Sequence, residues 1–189
     1  LGGFPLGSQD AALSLVSGGF DSGVATYLML SRGIRCQFCF FNLGGMGHEI
    51  GVKQVSYYLW DKYAGSHDAL FISVPFEGVV AELLRSVDNA YMGVLLKRLM
   101  MKAASDIADR FQLQALVTGE SIAQVSSQTL VNLSHIDASV DKLILRPLTT
   151  MNKQAIIEIA RHIGTEEYAR NMPEFCGVIS DKPTTRAKA

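Results

Sequence analysis

The strongest constraint on the fold is a repeated alternation of short apolar runs, rich in β-forming residues, with longer segments of helical spacing. The runs predict five strands, over residues 13–16, 34–41, 70–74, 115–118 and 142–145. Strands that alternate with helices favour a parallel sheet with right-handed crossovers and helices on both faces. The sequence therefore predicts an α/β fold, a three-layer, doubly wound, parallel five-stranded sheet. In such folds the ligand lies outside the carboxyl ends of the strands, where the strand order reverses.

Helical spacing is clearest in four segments. Three of them cover residues 21–31, 48–63 and 91–111. A fourth helix is expected to start at an Asn152 cap and to run to about His162, because Gly164 ends it.

The composition describes one globular domain. The 189 residues include 17 basic and 18 acidic ones, and a net charge of −1 is a weak basis for holding nucleic acid unaided. No run of about 18 apolar residues exists, so we expect no membrane span and no membrane partner. The 3 cysteines are too few for a disulfide framework, which favours a reducing, cytoplasmic compartment. Because the chain starts at Leu1, we expect a piece of a longer protein with no visible targeting segment.

The segment Ser17-Gly18-Gly19-Phe20-Asp21-Ser22 joins the first predicted strand to the first predicted helix. Paired glycines permit positive φ and allow backbone N–H groups to converge, and the helix N-terminus adds its dipole. Ser17 and Ser22 supply hydroxyl donors, and Asp21 is a candidate ligand for Mg²⁺ beside a polyphosphate. The alternative is a tight turn in which Asp21 or Ser22 only caps the helix.

This hexapeptide lacks the Gly-Lys-Ser/Thr of a Walker loop, and the chain has no G-x-G-x-x-G dinucleotide fingerprint. It resembles the pyrophosphate (PP) loop of the ATP pyrophosphatases, which have the adenine nucleotide alpha hydrolase-like fold. Members of that superfamily bind ATP and cleave it between the α and β phosphates. The resemblance therefore implies that ATP is bound and that a carbonyl oxygen of the substrate is adenylated.

Further segments narrow the resemblance to the catalytic domain of tRNA 4-thiouridine synthetase, the thiamine-biosynthesis sulfurtransferase. The similarity covers essentially the whole chain, and its motifs are Phe40-Phe41-Asn42-Leu43-Gly44-Gly45, His48-Glu49-Ile50-Gly51-Val52, Gly119-Glu120-Ser121-x-x-Gln124-Val125-Ser126-Ser127-Gln128-Thr129 and Met172-Pro173-Glu174-Phe175-Cys176-Gly177-Val178.

The resemblance implies a tRNA uracil 4-sulfurtransferase that uses ATP and Mg²⁺ to adenylate a uridine, position 8 in the family. A persulfide sulfur then replaces O4, and the family also relays sulfur towards the thiazole of thiamine. The implied partners are tRNA, bound through an N-terminal RNA-binding portion absent here, a cysteine desulfurase as persulfide donor, and a rhodanese-like domain where one is present. We therefore divide the chain into a linker (1–10), a PP-loop domain (11–171) and a Cys176-bearing segment (172–189).

Candidate ATP-binding residues outside the loop lie mostly at predicted strand ends. Backbone N–H and C=O groups at two predicted strand ends, Leu15-Val16 and Phe40-Phe41, can recognise the edge of an adenine. Gly119 ends the fourth predicted strand, where a side chain would crowd a nucleotide. Gln128 and Ser126 lie in an unusually polar segment and are plausible ligand contacts. Lys97 is either a lysine that extends to solvent or, as the resemblance favours, a phosphate contact. With the loop residues, the predicted ATP-binding set is Leu15, Val16, Ser17, Gly18, Gly19, Asp21, Ser22, Phe40, Phe41, Lys97, Gly119 and Gln128.

The cysteines divide into two kinds. Cys36 and Cys39 lie three apart in one predicted strand, hence on opposite faces, and we expect them to be structural. Cys176 lies beyond the last predicted helix, and the resemblance implies that it assists sulfur delivery, so Asp21 and Cys176 are the catalytic candidates. The histidines, including His48 at a predicted helix start, need only surface or capping roles.

Two other functions remain open on the sequence alone. An amide-forming synthetase would share the loop but give Cys176 no role. A nucleotide-binding module without chemistry would bind ATP and release no pyrophosphate.

Overall fold

The computed structural model describes residues 3–172 and 183–187 and contains one parallel sheet of five strands. The strands are β1 (Ala11–Leu15), β2 (Arg35–Asn42), β3 (Phe71–Pro75), β4 (Ala115–Val117) and β5 (Leu143–Leu145). The helices are α1 (Phe20–Leu30), α2 (Gly45–Tyr63), α3 (Glu77–Ser86), α4 (Met92–Arg110), α5 (Leu130–Asp137), α6 (Lys153–Ile163) and α7 (Glu166–Arg170). All five predicted strands are confirmed within two residues, whereas the sequence prediction missed α3, α5 and α7.

Alternating side chains along the strands separate two hydrophobic cores, one on each face of the sheet. Leu13 and Leu116 face α3, α4 and α5. Ala12 and Ala115 face α1, α2 and α6. The predicted three-layer architecture is therefore confirmed.

Cys36 and Cys39 lie in different clusters of buried residues and are fully buried, as expected for structural residues. Burial raises the pKa of each thiol to about 12. Both side chains therefore remain neutral thiols at physiological pH, and neither is a candidate for sulfur transfer.

The strand order is β3-β2-β1-β4-β5, so the chain builds outward from β1 in one direction and then from β4 in the other. The order reverses between β1 and β4, which are paired over residues 12–14 and 115–117. A crevice at the carboxyl ends of these two strands is where this class of sheet binds ligands.

The last described residues lie against α5. The amide of Asn132 donates to the carbonyl of Thr184 (2.9 Å), and its side-chain oxygen accepts from the N–H of Ala187 (2.8 Å). Within residues 3–172 and 183–187, none of the helices combines the length and the apolar character needed to cross a bilayer.

Candidate active site at the carboxyl edge of the sheet

The loop between β1 and α1 has the geometry of an anion site. Gly18 has a φ of +83°, a conformation that glycine adopts without steric cost. Gly19 is extended and precedes α1, whose first turn has no side-chain cap among the described residues. The Ser22 hydroxyl instead accepts from the N–H of Ser17 (3.1 Å) and donates to the carbonyl of Gly19 (3.3 Å). The first-turn amides of α1 therefore remain open to an anion, and the simple capping alternative is not observed.

His48 holds the beginning of this loop, which corrects the expectation of a surface or capping role. The residue is buried, with 7% of its surface exposed, and its Nε2 lies 2.9 Å from the carbonyl oxygen of Ser17. Its ring meets Phe40 edge to face, with centroids 4.8 Å apart. The expectation was wrong because the three residues before it already belong to α2, whose first turn carries His48 over the end of β1.

Asp21 is the centre of a polar contact among three elements. Its Oδ1 accepts from Lys153 Nζ (2.8 Å), and its Oδ2 accepts from Gln124 Nε2 (3.2 Å). Lys153 is the first residue of α6, placed there by the predicted Asn152 cap, whose side chain accepts from Ala155 N–H (2.8 Å). The sequence analysis missed Lys153, although a lysine directly after a helix cap near a parallel sheet edge could have marked it.

The Asp21 side chain is one-quarter exposed at the mouth of the crevice. Proteins often hold Mg²⁺ through one or two carboxylates together with the phosphates of the substrate. The described residues contain no group of three or more metal-ligating side chains. Asp21 therefore fits a magnesium ion that is held mainly by phosphates, with one carboxylate from the protein.

Gly119 follows β4 and touches the first turn of α1. A Cβ at this position would lie 2.7 Å from the carbonyl carbon of Asp21 and 2.8 Å from the backbone nitrogen of Ser22. Glycine is therefore needed at position 119 because the chain after β4 comes close to the backbone of the first turn of α1. A nearby nucleotide would be a second reason.

A network of charges centred on the buried Glu120 lies beside Gly119. Glu120 accepts from Lys97 Nζ (2.6 Å) and from Arg146 Nε (2.8 Å), and Arg146 also pairs with Asp137 (3.0 Å). Burial alone would raise the pKa of the Glu120 carboxyl, but the charges and hydrogen bonds of Lys97 and then Arg146 outweigh it, and its pKa is lowered. The Lys97 side chain is 28% exposed, and its ammonium has three N–H donors, so the ion pair leaves donors for a phosphate.

The network leads to a prediction for acid stability. Because the folded pKa of Glu120 is lowered, its stabilising contribution is complete above the unfolded pKa of about 4.3 and is lost as the pH falls through the folded pKa. Glu120→Gln should lower the free energy of unfolding by about 2 kcal/mol near neutral pH, since two partly buried cations lose a charged partner and only Arg146 keeps another, Asp137. Urea unfolding should show the gap from wild type narrowing below a pH of about 4.

The control for this prediction is Glu82→Gln, which breaks an exposed pair with Arg85. That variant should leave the free energy of unfolding nearly unchanged near neutral pH. A gap for Glu120→Gln that stays constant from neutral to acidic pH would contradict the assignment.

The other predicted contacts differ in what they can offer a nucleotide. Gln128 is buried, and its Oε1 has no hydrogen-bond partner among the described residues, so this oxygen could accept a hydrogen bond from a ligand. The side chains of Val16, Phe40 and Phe41 are buried in the cores, so only their backbone groups can reach a ligand. Leu15 ends β1 with a half-buried side chain.

The second catalytic candidate, Cys176, lies outside the described residues. Met172, four residues earlier in the sequence, packs over the loop, and a Cβ on Gly18 would collide with its methyl carbon. The described chain therefore contacts this loop four residues before Cys176 in the sequence.

Comparisons with known proteins agree with this geometry. A sequence profile of the thiamine biosynthesis protein family (ThiI) matches residues 7–189. A curated tRNA sulfurtransferase from Tolumonas auensis is 63% identical over 188 residues, which is all of this chain and 39% of that protein. The chain therefore spans well under half of that relative.

Solved structures give the same result for the fold. A 4-thiouridine synthetase in complex with RNA and ATP matches with a TM-score of 0.91 at 30% identity, over 98% of this chain and 49% of that protein. The NH3-dependent NAD synthetase of Campylobacter jejuni matches with a TM-score of 0.61 at 11% identity, over 89% of this chain and 71% of that protein, and shows the fold alone. The adenine nucleotide alpha hydrolase-like fold expected from the sequence is therefore confirmed.

Proposed function

The chain belongs to the thiamine biosynthesis protein (ThiI) family, and we propose that it is the ATP-using catalytic domain of a tRNA sulfurtransferase. The observation that carries this proposal is the loop of Gly18 and Gly19 at the carboxyl end of β1, with Asp21 beside it. Positive φ, an uncapped helix start and a carboxylate together suit a polyphosphate with its metal ion. The ATP in the matched 4-thiouridine synthetase structure supports the choice of nucleotide.

We assign the pyrophosphate end of ATP to the loop of Ser17–Ser22 and its adenine to the backbone at Leu15–Val16 and Phe40–Phe41. Gln128 offers its buried oxygen, and Gly119 leaves room between β4 and the loop. The uridine O4 attacks the α-phosphate, the bond to the β-phosphate breaks, and pyrophosphate leaves. The base is then activated, because AMP is a far better leaving group than the uracil oxygen.

Charge near the breaking bond comes from lysines and a metal ion. Lys153 and Lys97 are placed to stabilise negative charge that develops on the phosphates, and each is held by a carboxylate in the protein. A magnesium ion, for which Asp21 is the proposed protein ligand, would neutralise further phosphate charge when bound. Asp21 also orients Lys153, so its carboxylate serves the site in two ways.

The sulfur step involves Cys176. A persulfide sulfur attacks C4 of the adenylated uridine and AMP departs, which leaves the base joined to the carrier cysteine through an S–S bond. The Cys176 thiol then attacks the carrier sulfur, so that the S–S bond breaks, 4-thiouridine is released and a disulfide joins the two cysteines. In the route that uses sulfide, the Cys176 thiol attacks the inner sulfur of the carrier persulfide, so that hydrosulfide is released and a disulfide joins the two cysteines. We propose a cysteine desulfurase as the persulfide donor, with a rhodanese-like domain as the carrier where one exists.

The tRNA must be held largely by other parts of the protein. A net charge of −1 gives this domain little attraction for a polyanion, and the chain spans only 39% of the Tolumonas relative. The target base must also leave its stack to reach the crevice, as in other enzymes that modify bases. We therefore assign catalysis to this chain and tRNA docking to the N-terminal portion.

A chimera tests the proposal directly. The matching 188 residues of the Tolumonas auensis relative are replaced by this chain, and 4-thiouridine is measured in tRNA after incubation with ATP, magnesium and a persulfide source. The chimera should form 4-thiouridine and release pyrophosphate only with unmodified tRNA. Pyrophosphate release without thiolation would favour another adenylating enzyme, and ATP binding without release would favour a module without chemistry.

A substitution separates the sulfurtransferase from the amide-forming alternative that shares its fold. Cys176→Ser in the chimera should abolish thiolation and leave pyrophosphate release close to wild type, because adenylation precedes the sulfur step. Thiolation that persists in this variant would count against a role for Cys176.

A further inference from the structure

We propose that His48 is a positioning residue that fixes the direction of the Ser17–Gly18 peptide in the phosphate loop. This role of His48 rests on the proposed ATP-binding function, and it replaces the surface or capping role expected from the sequence. His48 reaches the loop from a different element, the first turn of α2.

The imidazole is itself held in place. Only 7% of the surface of His48 is exposed, and its ring packs edge to face against Phe40, with an angle of 78° between the two rings. A carbonyl oxygen can only accept a hydrogen bond, so the 2.9 Å contact with Ser17 requires the proton on Nε2. Because the ring is packed in place and its Nε2 carries the proton, the Ser17 carbonyl must point towards Nε2 to accept this hydrogen bond.

That direction matters because of peptide geometry. In a trans peptide the carbonyl and the following N–H point in opposite directions, so the contact with His48 aims the Gly18 N–H away from α2. Glycine has no Cβ to resist rotation of the preceding peptide, and Gly18 has a φ of +83°. A half-turn of that peptide would direct the carbonyl oxygen towards the anion site and repel a phosphate.

The rest of Ser17 does not prevent such a rotation. Its N–H donates to Ser22 Oγ (3.1 Å), and its own hydroxyl accepts from Gly19 N–H (3.4 Å). These contacts hold the preceding peptide and the side chain of Ser17. The carbonyl is held by His48, so the hydrogen bond from Nε2 selects the orientation that favours phosphate.

The test compares two substitutions by calorimetric titration of this chain with ATP and with adenosine. His48→Phe keeps a buried ring without a donor and should weaken ATP binding roughly tenfold, the worth of one hydrogen bond, and leave adenosine binding unchanged. His48→Gln restores an N–H donor and should recover most of the ATP affinity. His162→Phe, at an exposed position on α6, is the matched control and should bind both ligands like wild type.

The possible outcomes distinguish the role of His48 from the proposed ATP-binding function. Failure of the wild-type chain to bind ATP would overturn the proposed function, whereas wild-type ATP affinity in His48→Phe would overturn only the role of His48. Equal weakening of ATP and adenosine, or no recovery with His48→Gln, would also overturn it. Nitrogen-15 spectra of the wild-type imidazole add a test that needs no variant, since a proton on Nδ1 alone would contradict the proposed hydrogen bond.

Discussion

Asp21→Asn should lower the rate of pyrophosphate release by the chimera about 100-fold or more. The substitution keeps the shape of the side chain but removes the charge that pairs with Lys153 at 2.8 Å. An amide is a weaker ligand for Mg²⁺ than a carboxylate, and Lys153 loses the partner that orients it. Both consequences act on the phosphates, so the effect on rate should exceed that of either contact alone.

The folded state should hardly change in the same variant. The Asp21 and Lys153 side chains are 25% and 47% exposed, and an ion pair of this kind contributes less than about 1 kcal/mol to stability. Urea unfolding therefore distinguishes a lost catalytic group from a damaged fold. Asp106→Asn, an exposed carboxylate on α4, is the control and should release pyrophosphate like wild type.

If Asp21→Asn retained more than about one-tenth of the wild-type rate, the carboxylate would not be a ligand or an orienting group for the reaction. A double variant with Lys153→Met adds a second measure. Because the two side chains touch, their effects on the rate should be far from additive. Additive losses would mean that the two residues act on different steps.

The sequence was sufficient for the sheet and for the loop because both are encoded locally. Strands of apolar residues alternate with helices, and the whole hexapeptide of residues 17–22 at a strand-to-helix junction is much more specific than a glycine pair alone. The positive φ that the glycine pair permits is observed at Gly18. The backbone of Gly19, in contrast, adopts an ordinary extended conformation that many residues could adopt.

The contacts that other parts of the chain make with the loop could not be predicted from the local sequence. Lys153 lies 132 residues from its partner Asp21, and His48 lies 31 residues from Ser17. Neither pair of residues can be recognised from a periodic pattern in the sequence, because each contact depends on which helices and strands the sheet brings together. A histidine at the start of a helix has many uses, and only the topology reveals which carbonyl it faces.

Two of the three missed helices, α5 and α7, were missed for physical reasons. α7 has only five residues, too short for a periodic pattern to emerge. α5 has eight residues, among them Asn132, Ser134 and His135, which do not favour helix interiors. It starts at a Thr129 cap and is fixed by contacts with α4 and with residues 184–187. Tertiary packing therefore stabilises a helix whose own residues favour it only weakly.

Gly119→Ala should lower the free energy of unfolding by about 3 kcal/mol and weaken ATP binding together with it. The added Cβ would lie 2.7–2.8 Å from three backbone atoms of Asp21 and Ser22, distances that real Cβ atoms essentially never show. Backbone cannot rotate aside as a flexible side chain can, so β4 and the first turn of α1 must separate. That movement displaces the loop on which the proposed site is built.

The matched control is Gly93→Ala on α4, where an added Cβ would meet nothing within 4 Å. There the same substitution should raise the free energy of unfolding by up to about 1 kcal/mol, because alanine favours a helix over glycine. Opposite signs for one chemical change, measured by urea unfolding, would isolate the close approach of β4 to the loop as the cause. A Gly119→Ala variant with wild-type stability and ATP affinity would show that β4 and the phosphate loop do not meet as closely as described.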